Sequence, residues 1–320
     1  YIMPFGKALK DTMNSMTIGA VTRKKHHVFT ISTETTALEA LKVMSRHQIG
    51  CVVVKDSEDA FVGIVSMTDI MAYVAFGLVD PKTCNGEASF TEVDLTANAE
   101  MKLADRKAFD LVTLSEEGQC GNTPALGGIF VYDESDSVSQ VCEAFSKGVH
   151  RVIVRCKPTF VHPSPFFRLC TQTDVARALY RQMLLHEPSA AVDAIVAPDN
   201  MPELITMKPT DTALNGYRRM LSKQLSALPV VDSVGMIVGT LSVSDLKYVK
   251  TLSWLSLPVT EFLDEIHGRE HTLAFYATPQ APLAEVLNHL LATHYHRSWI
   301  VSNKKLIGVI TLSDICRALY

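Results

Sequence analysis

Two residue patterns in this chain could do chemistry, and both recur. The first is a hydroxyl followed three positions later by a carboxylate: Ser66-Met-Thr-Asp69, Thr171-Gln-Thr-Asp174, Ser242-Val-Ser-Asp245 and Thr311-Leu-Ser-Asp314. A carboxylate held at a helix start can accept two hydrogen bonds from the vicinal hydroxyls of a ribose. The same start offers free amides and a hydroxyl to a phosphate. The bland alternative is a capping box, in which hydroxyl and carboxylate satisfy the first-turn amides and favour the helix dipole. The two roles are compatible. Four occurrences at one place ask for more than capping, since helices can be capped in many other ways.

The second pattern is a His-Arg pair entering a buried strand, at His150-Arg151 and again at His296-Arg297. Arg supplies a planar fork of donors and His an adjustable one, which together suit phosphate. Most such pairs are solvated strand ends. These two precede alternate members of a repeat, the placement expected if facing units build one anion site. Weaker features include His294-x-His296, with metal-like spacing but no third ligand nearby, and Thr22-Arg-Lys-Lys-His-His27, read as a solvated lead-in. No P-loop, Rossmann fingerprint or nucleophile elbow is present.

These side chains are positioned by a duplication. Residues 36–70 laid over 212–246 without a gap match at twelve of 35 positions, among them Thr36/Thr212, Gln48/Gln224, Gly63/Gly239 and Asp69/Asp245, where composition alone supplies about two. Gly239-Thr-Leu-Ser242-Val-Ser-Asp245 recurs as Gly308-Val-Ile-Thr311-Leu-Ser-Asp314, and Gly63 to Asp69 is answered by Arg168 to Asp174. The chain therefore carries four units. Each reads as a short β-prone segment (Val28–Ile31, Ile129–Tyr132, Leu204–Met207, Leu273–Tyr276), a helix-period stretch, a β-rich run, a second strand ending at the hydroxyl, and a final helix. The expected fold class is α/β (α+β), of β-α-β-β-α type.

The expected divisions are 1–76 (first unit with its lead-in), 77–121 (insertion), 122–187, 188–252 and 253–320. A helix is expected over Ala99–Phe109, and part of the insertion is expected to be mobile. Three prolines between Cys156 and Arg168 are expected to prevent regular ladder pairing in the second hairpin. The break between modules falls at Glu187-Pro188.

Length and composition bound the function. At 320 residues, 47% hydrophobic and 20% charged, the chain suits two ordinary domains and excludes disorder. A net charge of −4 gives no broad positive field, so neither nucleic acid nor membrane is an expected partner, and an anion must be held by a few placed groups. Seven cysteines without a C-x-x-C suit a reducing compartment, with Cys51 and Cys142 as buried thiols. Cytoplasmic residence is expected, the nucleus remaining open. Tyr1-Ile2-Met3-Pro4 lacks signal-peptide character, and a start other than Met points to a natural N-terminus that is missing or replaced.

The four units resemble cystathionine-β-synthase (CBS) domains, which pair into Bateman modules. The set of four is similar to the gamma subunit of AMP-activated protein kinase and related gamma-like proteins. Leu225-Ser-Ala-Leu-Pro-Val-Val-Asp232 and Thr311-Leu-Ser-Asp314 carry the likeness most closely, and it covers residues 20–76 and 122–320. The resemblance implies two modules, each pairing two units about a pseudo-twofold, that assemble into a flat disk with clefts for nucleotides. It implies AMP, ADP or ATP as regulatory ligands, no catalysis, and kinase catalytic and scaffold subunits or another regulated enzyme as partners. Asp69, Asp174, Asp245 and Asp314 would hold ribose. Ser66, Thr68, His150, Arg151, Thr171, Ser226, Ser242, His296, Arg297, Thr311 and Ser313 would lie near phosphate.

The chain departs from the gamma pattern. Gamma subunits commonly carry Arg where this chain has Asp174, which implies a further ribose site here. They carry basic residues near Gly50 and Gln224; Lys223 and Arg46 are the candidates to compensate. The alternative reading is a nucleotide-independent scaffold, or a regulator of a phosphatase or another enzyme.

Overall fold

The computed structural model describes residues 5–25, 28–77, 103–112, 129–160, 162–196, 204–268 and 276–320. In the first unit Thr36 caps the helix Ala37–His47, accepting from the Glu39 amide while the Glu39 carboxylate accepts from the Thr36 amide. Its buried residues Ala37, Ala40 and Met44 recur at helical spacing and face the core. The chain then turns through Gln48, whose φ of 53° is left-handed. Gly148, Gln224 and His294 occupy the matching turns with φ of 94°, 51° and 59°. The Gln48/Gln224 identity and the position of His294 thus mark the end of a helix.

Each turn releases the chain into a hairpin. Cys51–Lys55 pairs antiparallel with Phe61–Ser66, and parallel with Thr30–Ser32. The second unit repeats this order with Val131–Asp133, Arg151–Cys156 and Phe166–Thr171, and the fourth with Tyr276–Ala277, Arg297–Ser302 and Lys305–Thr311. In the third unit Ala227–Val231 pairs with Ile237–Ser242, and the first strand shrinks to one bridge, Met207 to Val230. Its last helix, Val243–Tyr248, is a 3-10 helix.

The second hairpin corrects one expectation. Its ladder runs without a shift from Arg151–Thr171 to Cys156–Phe166, because Pro158, Pro163 and Pro165 all lie in the loop beyond its last pair. Of the helix expected over 99–109, residues 99–102 lie outside the described residues; 103–105 are helical, 106–108 are not, and a separate short helix spans Phe109–Val112.

The units contact one another in a closed cycle. Sheets of the first and second units meet at Val53, Ile129 and Ile153, with the Phe61 and Phe167 rings edge to face at 4.7 Å. Across the third and fourth units the Trp299 indole donates to Thr240 Oγ1 at 2.8 Å. Helices of the first and third units share one apolar core; those of the second and fourth share another. Each module is therefore held by its sheets, and the two modules meet through helices.

The lead-ins are exchanged. Ahead of the first unit, residues 5–22 pack on the second and fourth units. Met16 O accepts the amide of Val138, the first residue of the second unit's helix, and Ile18 N donates to Asp136 O. Reciprocally, Arg106 O accepts from Ala37 N, and Ala108 N donates to Thr35 O. The later module repeats the exchange, with Ala190 O accepting from Leu283 N and Leu257 O from Ala213 N. Each borrowed carbonyl satisfies a first-turn amide that no intrahelical acceptor can reach. The N-terminal lead-in thus serves the second unit, not the first.

Candidate functional site

All four hydroxyl–carboxylate pairs form capping boxes. One carboxylate oxygen, Oδ2, is consumed by the cap. Asp69 Oδ2 accepts from Ser66 N and Oγ, both at 2.7 Å. Asp174 accepts from Thr171 N and Oγ1 at 2.8 and 2.7 Å, and Asp314 from Thr311 N and Oγ1 at 2.9 and 2.6 Å. Asp245 accepts from Ser242 N at 2.7 Å. Asp69, Asp174 and Asp245 are buried.

The second oxygen distinguishes the units. Asp245 Oδ1 lies 3.1 Å from His267 Nε2, and Asp314 Oδ1 is 2.9 Å from Arg317. Asp174 Oδ1 lies 3.7 Å from Arg177, while its Oδ2 is paired with Lys25 at 2.5 Å. The basic run at 22–27 therefore includes an anchoring residue, where a solvated lead-in was expected.

The His-Arg pairs cross their modules. Arg151 donates to Gly50 O at 3.0 Å, and Arg297 donates to Ser226 Oγ at 2.6 Å. Each arginine of an even unit thus reaches the matching turn of its odd neighbour. A Cβ built on Gly50 would meet nothing within 4 Å, so the space beside Arg151 is open.

The two pairs also lie within electrostatic reach of each other. Burial first, then Arg297, Arg151, Lys247 and His150, hold His296 down to about 4. His150 is lowered by burial and by Arg151 and Arg297, against a hydrogen bond to Gln172 that raises it. Arg297 is lowered to about 10 by burial, while Asp245 and Asp314 oppose the shift. Both histidines are nonetheless solvent-exposed. Water reaches these side chains, while the surrounding protein and the neighbouring positive charges disfavour their protonated forms. Second, third and fourth units contribute to this basic wall, which is suited to an anion.

The remaining predicted residues fall around it. Ser66, Thr171 and Thr311 direct their hydroxyls to their own aspartates. Thr68 is exposed on the first turn after Ser66. Ser313 Oγ lies 3.0 Å from Gln172 Nε2, joining the second and fourth units. Ser226 accepts from Arg297, and Ser242 lies beside it, paired with Ala227 across the hairpin. Arg46 is exposed, and Lys223 lines a cleft of about 530 Å³ with Leu204, Ile205 and Arg219, away from both recurring patterns. Lys25, Lys247, His267 and Arg317 were missed by sequence reasoning. Only Lys247 and Arg317 carried a signal, lying two and three residues past an aspartate on the helix that it starts. Among the described residues no cluster of His, Cys, Asp and Glu could hold a metal, and no helix is long and apolar enough to cross a membrane.

Comparison with known proteins agrees with this architecture. The chain is 24% identical over 294 residues to the SNF1-related protein kinase regulatory subunit gamma-like PV42a of Arabidopsis thaliana, covering 81% of this chain and 75% of that protein. It is 24% identical over 256 residues to protein sds23 of Sclerotinia sclerotiorum, covering 73% of this chain and 43% of that protein. A crystal structure from Methanocaldococcus jannaschii, described as a candidate archaeal homologue of g-AMPK, superposes with a TM-score of 0.68 at 17% identity, over 95% of this chain and all of that one. The CBS domain family matches residues 18–76, 196–250 and 274–320. The second unit lies outside those matches and carries Arg168 where the others have Gly63, Gly239 and Gly308, yet its sheet has the same order. With four such units paired into two modules, the chain belongs to the CBS domain family.

Proposed function

We propose that this chain is a regulatory subunit that binds AMP, ADP or ATP and conveys its occupancy to a catalytic partner, a protein kinase of the AMP-activated type, without catalysis of its own. One observation carries the reading: Arg151 and Arg297, from different modules, each reach the matching turn of the neighbouring unit, at Gly50 and Ser226, beside the solvent-exposed His150 and His296. Aspartate oxygens beyond the caps would accept ribose hydroxyls, and this basic wall would take the phosphates. Because the wall is built from both modules, a phosphate bound there ties one module to the other. That coupling is how phosphate number becomes a signal to a partner. The kinship to a kinase regulatory subunit supports the partner class. The working compartment in this reading is the cytoplasm, the nucleus remaining open.

Isothermal titration with AMP, ADP, ATP and S-adenosylmethionine tests the ligand. Heat from the three nucleotides with more than one site is expected, together with a raised melting temperature. No heat and no thermal shift with any of them would sink the reading. A second reading, a nucleotide-independent scaffold or regulator of a phosphatase or other enzyme, draws on the capping boxes, since all four carboxylates already serve the fold. It predicts that a partner is captured equally with and without nucleotide.

A further inference from the structure

The four carboxylates are not equivalent, and the difference lies in what the chain itself brings to them. Asp174 is buried, and Lys25, from a lead-in about 150 residues away in sequence, places its ammonium on Asp174 Oδ2 at 2.5 Å. The same ammonium donates to Leu169 O at 3.0 Å, inside the strand that leads to Thr171. Two acceptors on one strand-to-helix junction hold it in place.

Its delivery is built into the backbone. The helix Ile18–Thr22 is docked by Ile18 N to Asp136 O and Gly19 N to Glu134 O, both at 2.8 Å. Thr22 is fully buried with its hydroxyl bonded to Ile18 O at 2.9 Å, and Lys25 N closes the following turn on Thr22 O. At Gly19 the approach is so close that a Cβ would lie 2.8 Å from Glu134 O and 2.9 Å from its Cβ. The neighbouring Lys24 is exposed, so docking selects Lys25 from the basic run.

From this geometry we infer that Lys25 is a resident ligand of the second cleft. Its ammonium shares Oδ2 with the cap, cancels the charge of the carboxylate that would otherwise accept ribose hydroxyls at Oδ1, and so closes that cleft to nucleotide. The ammonium brings positive charge to a buried carboxylate, which two neutral hydroxyls do not match. The inference rests on the nucleotide reading of the other clefts. It narrows that reading, because the carboxylate of the second unit is already paired with an ammonium.

Titration with AMP of the full chain and of Lys25→Met, Lys25→Arg and Lys25→Met/Asp174→Asn tests it. Met keeps the aliphatic stem and removes the charge. Lys25→Met should bind one more AMP per chain than the unaltered protein, while Lys25→Arg and the double variant should not. Gly19→Ala, which keeps Lys25 but unseats its lead-in, should gain the same site. Equal AMP stoichiometry in Lys25→Met and the unaltered protein would overturn the inference and leave the nucleotide reading intact. Reaction with an acylating reagent, read by peptide mass spectrometry, gives a measure independent of nucleotide. Lys25 should react more slowly than Lys24, and Asp174→Asn should remove the difference. Equal reactivity of Lys24 and Lys25 in the unaltered protein would overturn the inference whatever AMP does. Absence of AMP binding in every variant would overturn the nucleotide reading and the exclusion of ribose together.

Discussion

Replacing Arg297 by Ala is the sharpest perturbation of the basic wall. The guanidinium reaches Ser226 across its module and depresses the basicity of His296 beside it. Hydrogen bonds from a charged donor contribute about 1.5–3 kcal/mol each. Losing one to a phosphate should weaken AMP by about 10- to 150-fold, at 1.36 kcal/mol per factor of ten. Adenosine has no phosphate, so its affinity should stay within about twofold, the spread of such measurements. The AMP deficit should narrow as salt rises, since the wall is open to water. Arg297→Lys should restore part of it, keeping the charge but not the fork. A proton signature should accompany the affinity. Phosphate favours the imidazolium, so AMP binding near pH 6 should draw protons onto His296 and His150, both held below their ordinary range. Titrations in two buffers of different ionisation enthalpy read that uptake. Arg151→Ala should behave alike, and the double variant should lose less than the sum of the singles if both arginines serve one phosphate cluster. Equal weakening of AMP and adenosine in both single variants would refute the assignment and leave the arginines as struts of the fold.

Asp245→Ala and Asp314→Ala should each lower AMP affinity about tenfold or more and cost about 0.5–2 kcal/mol of stability through the lost cap; stability loss with unchanged binding in urea and calorimetric titrations would reduce both residues to caps. Acid should destabilise the protein as pH falls from 6.5 toward about 4, because the unfolded chain protonates His296 before the folded chain does. A His296→Asn variant should lose less over that window, and identical urea midpoints for the parent at pH 7 and 5 would contradict the shift. Trp299→Phe removes the indole that Thr240 accepts from across the module and should cost about 1 kcal/mol, read as a lower urea midpoint; an unchanged midpoint would show that the sheets hold without it.

Much of this was legible because it is local. The spacing of Ala37, Ala40 and Met44 writes a helix face, and Ser66 to Asp69 writes its own capping box within four residues. Recurrence of those signals disclosed four units, and the His-Arg pairs disclosed the side of each unit that faces its neighbour. The exchanged lead-ins were not legible. Arg106 O on Ala37 N, or Lys25 on Asp174, depends on contacts between distant segments that no periodicity encodes. The third unit's first strand also escaped. Leu204–Met207 is apolar enough for a ladder, yet only Met207 bridges, so pairing geometry and not hydrophobicity decided the matter.

The reciprocal exchange of lead-ins has a consequence for what can be inherited. A single unit cut from this chain would leave with the wrong arm: the first carries the strap belonging to the second and lacks the carbonyl that closes its own helix. The self-sufficient building block is the clasped pair. The gapless duplication obeys this, because it matches the first unit to the third and skips the one between. What was copied was a pair of interlocked units, and a cut placed inside a clasp would divide one folding entity, whereas a cut at Glu187 would fall where one clasp ends and the next begins.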